Sequence, residues 1–216
     1  MGANNNRLSP RQKMINLMYI VLTAMLALNV SSDVLDGFTQ VHDGLKRSNS
    51  NVGQRNDAIY AQLEAANELN PGKARVWLDK ASDVRRETKA LYEHIDTLKH
   101  IIVREADGDD GDPDNIENRD NLESASVVML SPSNPRGTRL KKRVEKYRDY
   151  IGVLIPDTAK RNNITEALST EDIRQQETLA PRKWEEAKFD QQPVVAAITL
   201  LSKLQNDILY AEGEAL

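Results

Sequence analysis

The first apolar segment of the chain runs from Met14 to Val30 and carries no charged residue. Only Asn16, Thr23 and Asn29 are clearly polar within it. As an α-helix the segment is roughly 25 Å long at about 1.5 Å per residue, close to the thickness of a bilayer's hydrocarbon core. The pattern therefore predicts a transmembrane helix over residues 14–32.

Two other interpretations of this segment stay open. A cleaved signal peptide needs small residues one and three positions before the cut, and a cut after Ser32 supplies Ser32 and Val30. A buried core helix is also compatible, because the segment is at the short end of the range for membrane spans. We favour the membrane span, since the valine makes a poor cleavage site.

The charges on either side of the segment predict its orientation. Three basic residues and no acidic one precede it, Arg7, Arg11 and Lys13, and two acids follow it, Asp33 and Asp36. By the positive-inside rule, residues 1–13 stay in the cytoplasm and residues 33–216 cross the membrane. In a bacterium this places a single-pass protein in the inner membrane, with its bulk in the periplasm.

The helix that follows carries a heptad pattern. Ser9-Pro10 is a typical helix start, and Pro71-Gly72 ends the pattern, so we expect one continuous helix from Pro10 to Asn70, with a break near Gly53 as the alternative. Steps of four and three residues define its stripe: Val34, Phe38, Val41, Leu45, Ser48, Val52, Arg55, Ile59, Gln62 and Ala66.

A second long helix is predicted from Lys73 to Arg104, antiparallel to the first because the turn between them is short. Its stripe is the cleanest in the chain: Trp77, Ala81, Val84, Thr88, Leu91, Ile95, Leu98 and Ile102. Shorter helices are predicted over 122–130, 138–155, 164–168 and 171–176, and a last helix follows Pro193. Trp77, Trp184 and Phe189 are the expected core anchors. No strand pattern competes, so the fold class is all-α: a transmembrane helix continuing into an antiparallel helical bundle.

Composition narrows the function. The first 32 residues hold three basic side chains and no acidic one. The remainder therefore contains 26 of the 29 Lys and Arg residues and all 33 Asp and Glu residues, which gives it a net charge of −7. An acidic, mixed-charge domain argues against nucleic-acid binding. The chain has no cysteine, which excludes disulfides and thiolate chemistry.

No catalytic or metal site emerges from the motifs. The three histidines are His42, His94 and His100, and the last two face different sides of one helix. The acidic segment Glu105–Asn121 fits no register of an EF-hand loop, which favours a solvated loop. We therefore expect no metal, no cofactor and no enzymatic activity.

Basic residues crowd the helix predicted over 138–155. An anionic partner is one interpretation, but the alternation with Glu145 and Asp149 favours an ordinary solvated surface. The basic residues are Arg139, Lys141, Lys142, Arg143, Lys146 and Arg148.

The membrane helix has a candidate packing stripe of small and weakly polar residues, spaced for one helical face: Asn16, Ile20, Thr23, Ala27 and Ser31. The span holds no ionisable residue, so in a proton-driven device the proton-carrying carboxylate belongs to a partner. Arg11 and Lys13 stand at the cytoplasmic end, where snorkelling as a topology signal is the simpler interpretation.

Two regions of the chain resemble the GldM/PorM family. One is the N-terminal run from Ser9 to Ser31 (SPRQKMINLMYIVLTAMLALNVS) followed by Val34–Phe38 (VLDGF). The other joins Trp184 and Phe189 to Gln192–Ala197 (QPVVAA) and Leu201–Asp207 (LSKLQND), and is similar to the end of that family's first periplasmic domain.

The resemblance implies a role in the type IX secretion and gliding machinery of Bacteroidetes. Family members are homodimers whose two transmembrane helices sit inside a pentamer of a polytopic partner, GldL/PorL, which bears intramembrane carboxylates. The pair is regarded as a motor driven by the proton-motive force. Further β-rich domains carry the motion to an outer-membrane-associated ring, so the chain is expected to be part of a longer protein. Arg11 is then the expected ion-pairing partner of the pentamer's glutamate, and Lys13 has a lesser, topological role.

A periplasmic sensor is the main rival, because one membrane helix feeding a helical bundle is also receptor architecture. The thirteen residues before Met14 leave no room for a cytoplasmic output domain, which argues against it.

Overall fold

The structure is a computed structural model that describes residues 9–28, 31–173 and 181–216. These residues form eight helices and no β-strand, only an isolated bridge between Ile173 and Arg182. The all-α prediction is therefore confirmed for the described chain. The helices are α1 (Pro10–Leu28), α2 (Ser32–Leu69), α3 (Pro71–Asp107), α4 (Ser124–Leu130), α5 (Arg136–Leu154), α6 (Thr158–Ala167), α7 (Trp184–Phe189) and α8 (Val194–Ala215).

The predicted continuous helix from Pro10 to Asn70 is wrong. Ser31 has an extended backbone (φ −58°, ψ 136°), and its carbonyl accepts from the amides of Val34 and Leu35 at the start of α2. The helix is therefore interrupted at Ser31. It is not interrupted near Gly53, where α2 continues without a break.

The antiparallel hairpin of α2 and α3 is present, with the turn at Asn70. Arg85 of α3 contacts Asp57 of α2, and its guanidinium lies 4.6 Å from the centre of the Tyr60 ring. Helix α8 runs parallel to α2, because Asn49 and Asn56 bond to the carbonyls of Ser202 and Leu209, seven residues apart on both helices. The three long helices form the frame of the bundle.

The core lies between this frame and the shorter helices. The predicted stripe of α3 is buried from Ala81 to Ile102. Trp184 and Phe189 of α7 are buried, and their rings meet edge to face with centroids 6.0 Å apart. Helix α8 buries Ala197, Leu201, Leu204, Ile208 and Ala211, and helix α5 buries Leu140, Val144, Tyr147 and Ile151.

Trp77 is not a core anchor. Its side chain is 62% exposed, and Lys80 Nζ lies 4.9 Å from the ring centroid. The buried residues nearest to the turn of the hairpin are Asn56 on α2 and Ala81 on α3. Beyond them α8 no longer runs alongside, so the stripe of α3 continues past the helix that would cover it.

The shorter elements differ from prediction mainly at their ends. Helix α6 begins at Thr158, where the Asp157 carboxylate accepts from two backbone amides, and thus starts earlier than predicted. Helix α7 was not predicted. Residues 171–173 are not helical, and the rest of the helix predicted over 171–176 lies outside the described residues.

Candidate membrane-anchor site and its link to the bundle

Helix α1 begins as the sequence predicts. The Ser9 hydroxyl accepts from the Gln12 amide at 3.3 Å, and the Ser9 carbonyl accepts from the Lys13 amide at 3.0 Å, with Pro10 in the first helical position. This places Arg11 and Lys13 in the first turn, where both are exposed. Neither forms an ion pair with any residue that the structure describes.

The apolar side chains of α1 point outward on every side of the helix. From Met14 to Leu22 they are 46–69% exposed, and α1 contacts no other described helix. A helix that is apolar all round belongs in an apolar environment.

No helix in ranges 9–28, 31–173 and 181–216 is both long and apolar enough to cross a membrane. The predicted span over 14–32 is thus not confirmed.

The predicted packing stripe is only partly described. Asn16, Ile20 and Thr23 are exposed and share one face of α1 by their spacing. Ala27 lies in α1, but its side chain is outside the described part. Ser31 precedes α2 and its backbone is not helical, so the helical spacing of the stripe does not extend to it.

Three buried polar side chains of α2, the helix that follows α1, form hydrogen bonds to α8. We call this set, His42, Asn49 and Asn56, the polar ladder. His42 Nδ1 and the Ser202 hydroxyl share a hydrogen bond of 3.0 Å. The Asn49 amide donates to the Ser202 carbonyl at 3.2 Å. One heptad later, the Asn56 amide donates to the Leu209 carbonyl and to Glu212 Oε2, both at 2.8 Å. These bonds fix the register of α2 on the bundle.

Burial sets the protonation of this ladder. It lowers the pKa of His42 below 6.5, and the nearby Lys99 ammonium lowers it further. Burial also lowers the pKa of Lys99, whose Nζ donates to Gln205 Oε1 at 3.2 Å. The pKa of Glu212 is raised by burial and partly restored by the Asn56 hydrogen bond and Arg85. The His42 ring is thus held neutral between the helices.

Sequence reasoning missed this ladder because it followed the neighbouring apolar stripe. The buried residues of α2 are Leu35, His42, Asn49 and Asn56, spaced seven residues apart. That strict spacing was the available signal. The predicted stripe instead stays largely uncovered, with Val34 and Val41 about half exposed (48% and 54%).

The comparisons place this geometry in a family. The family model described as the GldM N-terminal domain matches residues 33–216. The chain belongs to this family. The match begins at the start of α2 and covers the whole bundle, so the hairpin, the polar ladder and the core are those of a GldM N-terminal domain. No curated protein matches the chain significantly.

The GldM domain gives its acidic segment a structural role. The Asp107 carboxylate accepts from the amides of Glu117 and Asn118, both at 2.9 Å, and Asp114 pairs with Lys46 at 2.6 Å. In the described part of the chain, no three acidic or histidine side chains cluster as metal ligands would. The absence of specific calcium binding stays a prediction.

Proposed function

We propose that this protein is the membrane-anchored motor component of a type IX secretion and gliding machinery. Two copies pair in the bacterial inner membrane. A surrounding polytopic GldL/PorL-type protein drives them with the proton-motive force, and domains beyond the helical bundle pass the motion to an outer-membrane-associated ring. The observation that carries the proposal is the family match over residues 33–216.

The chemistry of α1 supports the membrane anchor. Its apolar side chains from Met14 to Leu22 are exposed on all sides, and basic residues precede Met14. Both features suit a helix that enters lipid from the cytoplasm. The span then includes residues 14–32, residues 1–13 remain cytoplasmic, and residues 33–216 form the periplasmic domain.

The uncovered stripe of α2 supports pairing of two copies. Val34 and Val41 are exposed, and Phe38, Leu45 and Val52 are only partly buried. Membrane anchors fix two copies in parallel, and a heptad stripe is suited to parallel helix pairing. On α1, the face that holds Asn16, Ile20 and Thr23 is the proposed contact with protein in the membrane, either the second copy or the partner.

Arg11 is the proposed coupling charge. It lies in the first turn of α1, ahead of the apolar segment, and forms no ion pair within the described residues. A guanidinium at the bilayer centre costs about 2.5–3.5 kcal/mol on insertion scales and less at the edge. Pairing with a carboxylate of the partner lowers that cost. Two arginines among more carboxylates leave some acids unpaired and free to take up protons, which links proton passage to movement of the pair.

Substitution of Arg11 tests this function. Arg11→Ala should abolish type IX secretion while leaving the membrane complex assembled. Arg11→Lys should impair secretion partly, since lysine keeps the charge but loses the bidentate fork. Lys13→Ala, which removes the same charge two residues away, is the matched control and should secrete nearly normally. Normal secretion from an assembled Arg11→Ala complex reduces Arg11 to a topology signal and contradicts the proposal.

A further inference from the structure

The basic surface of α5 is less neutralised than its sequence suggests. Glu145 and Asp149 alternate with its cations, but Glu145 accepts a hydrogen bond from the Thr170 hydroxyl at 2.9 Å, and Asp149 pairs with its neighbour Arg148 at 3.0 Å. Asp149 therefore compensates Arg148, and Glu145 accepts its hydrogen bond from outside α5. Within the part of the chain that the structure describes, Lys141 is the only one of the six cations paired with an acid from another element, Asp172 at 2.7 Å.

Four cations of α5 have no acidic partner among the described residues: Arg139, Lys142, Arg143 and Lys146. Arg139 instead contacts the side-chain carbonyl of Asn134. Their spacing of three and four residues places all four on one face of the helix, opposite Asp172 and Thr170. We call this face the α5 basic face.

A groove adjoins the α5 basic face. It lies between α3 and α5, has a volume of about 440 Å³, and is lined on the α5 side by Arg143, Lys146 and Tyr150. On the α3 side Arg86 pairs with Asp83 at 2.7 Å and with Glu87 at 3.6 Å. That wall therefore carries a net charge of −1, and the excess positive charge of the groove comes from Arg143 and Lys146 on α5.

His94 on α3 responds to these uncompensated charges. Its pKa is lowered first by burial and then by Arg143 and Arg139, and its Nε2 atom is buried without a hydrogen-bond partner. The two arginines disfavour the protonated ring, so His94 lies within reach of their charges.

We infer that the α5 basic face and its groove bind an acidic segment of a partner protein. Arg139, Arg143 and Lys146 are separated by steps of four and three residues, so neighbouring charges lie about 5–6 Å apart along the helix, a spacing that carboxylates on a peptide can match. Tyr150 offers apolar surface for the peptide beside the charges. A flat anionic membrane suits this site less well, because Arg143 and Lys146 line a concave groove.

Binding of an acidic peptide to the chain in uncharged detergent tests this inference. The probe is a fluorescent oligo-glutamate peptide, with an oligo-glutamine peptide of equal length as the uncharged comparison, followed by anisotropy at low salt. Arg143→Glu combined with Lys146→Glu should weaken binding roughly tenfold or more, since each change replaces attraction by repulsion. Arg47→Glu combined with Lys73→Glu changes the net charge equally at exposed positions of α2 and α3 and should leave affinity within about twofold.

A second readout localises the peptide. Bound carboxylates offset Arg139 and Arg143, so the NMR-determined pKa of His94 should rise when the peptide binds. Equal weakening by both double variants, or an unchanged His94 pKa, overturns the inference in favour of nonspecific charge attraction. So does α5-dependent binding to phosphatidylglycerol vesicles without binding to the peptide, which identifies a membrane surface instead.

Discussion

Asn56 occupies the most demanding position among the buried polar residues of α2. Its amide donates to the Leu209 carbonyl and to Glu212 Oε2, both at 2.8 Å, and the side chain is almost completely buried. The Glu212 carboxylate is also buried, with Arg85 Nε 3.9 Å from its other oxygen. Removing Asn56 therefore takes the nearest donor from a desolvated acid.

Asn56→Ala should lower the free energy of unfolding by about 1–3 kcal/mol, the usual cost of leaving a buried polar group unpaired. Urea unfolding followed by circular dichroism measures it. Asn51→Ala, an identical change at an exposed position of the same helix, is the control and should stay within about 0.5 kcal/mol of the parent. Equal losses in the two variants contradict the ladder as the element that holds α2.

His42 makes the stability of the domain depend on pH. Its pKa is lowered by burial, by Lys99 and, to a smaller extent, by Lys46. The carboxylates of Asp43 and Asp114 partly oppose this by raising the pKa. A depressed pKa in the folded state means that the unfolded chain binds the proton more tightly. The stability that neutral His42 contributes is present above pH 6.5 and is lost as the pH falls through the folded pKa.

His42→Gln should therefore reduce the loss of stability between neutral pH and about pH 5. Some loss should remain, because the pKa of His94 is lowered in the same direction. The control is Asn51→Gln, a change at an exposed, non-titrating position of the same helix, which should leave the pH profile unchanged. Urea midpoints measured across this range decide the matter, and identical profiles for the parent and His42→Gln would show that burial of His42 carries no linkage.

At the scale of helices, sequence periodicity predicts where helices form. It predicts less well which face of each helix is buried. On α3 and α8 the apolar stripe and the buried face coincide, so both were predictable. On α2 two heptad stripes lie side by side. One is apolar and the other contains His42, Asn49 and Asn56, and the second is the one that is buried. The difference arises because α8 offers carbonyls and polar side chains to α2. Helix α7, with six residues, is too short for periodicity to reveal.

The fate of the two tryptophans follows from the length of α8. The apolar stripe of α3 extends to Trp77 in the sequence. The α3 sequence does not contain the information that α8, the helix that covers this stripe, ends before it reaches Trp77. Trp184, in contrast, lies against Phe189 beneath α4 and α8. The same residue type therefore anchors the core at one position and faces solvent at the other.

Trp184→Ala should cost about 3–5 kcal/mol of stability, as removal of a buried tryptophan does, or should prevent folding. Trp77→Ala should change the free energy of unfolding by less than about 1 kcal/mol, because 62% of the side chain is already exposed. Urea unfolding of both variants under the same conditions makes the comparison. A loss at Trp77 as large as that at Trp184 would mean that the hairpin end is covered in the folded protein.

At the scale of the whole molecule, the residue patterns alone predict a membrane anchor joined to a helical bundle. The proposed motor role comes from the resemblance to the GldM/PorM family. Nothing in the described bundle reveals a second copy or a membrane partner directly. The proposals of a second copy and a membrane partner rest on two surfaces: the exposed apolar side chains of α1 and the partly exposed stripe of α2. A single-chain sequence contains such surfaces without stating what covers them.

The most direct test of the motor proposal is native mass spectrometry of the natural protein purified from bacterial membranes in mild detergent. The account predicts a complex that contains two copies of this protein and several copies of one small polytopic membrane protein. A lone copy, or a dimer that carries a bound small molecule and no membrane partner, would contradict it and favour a sensor.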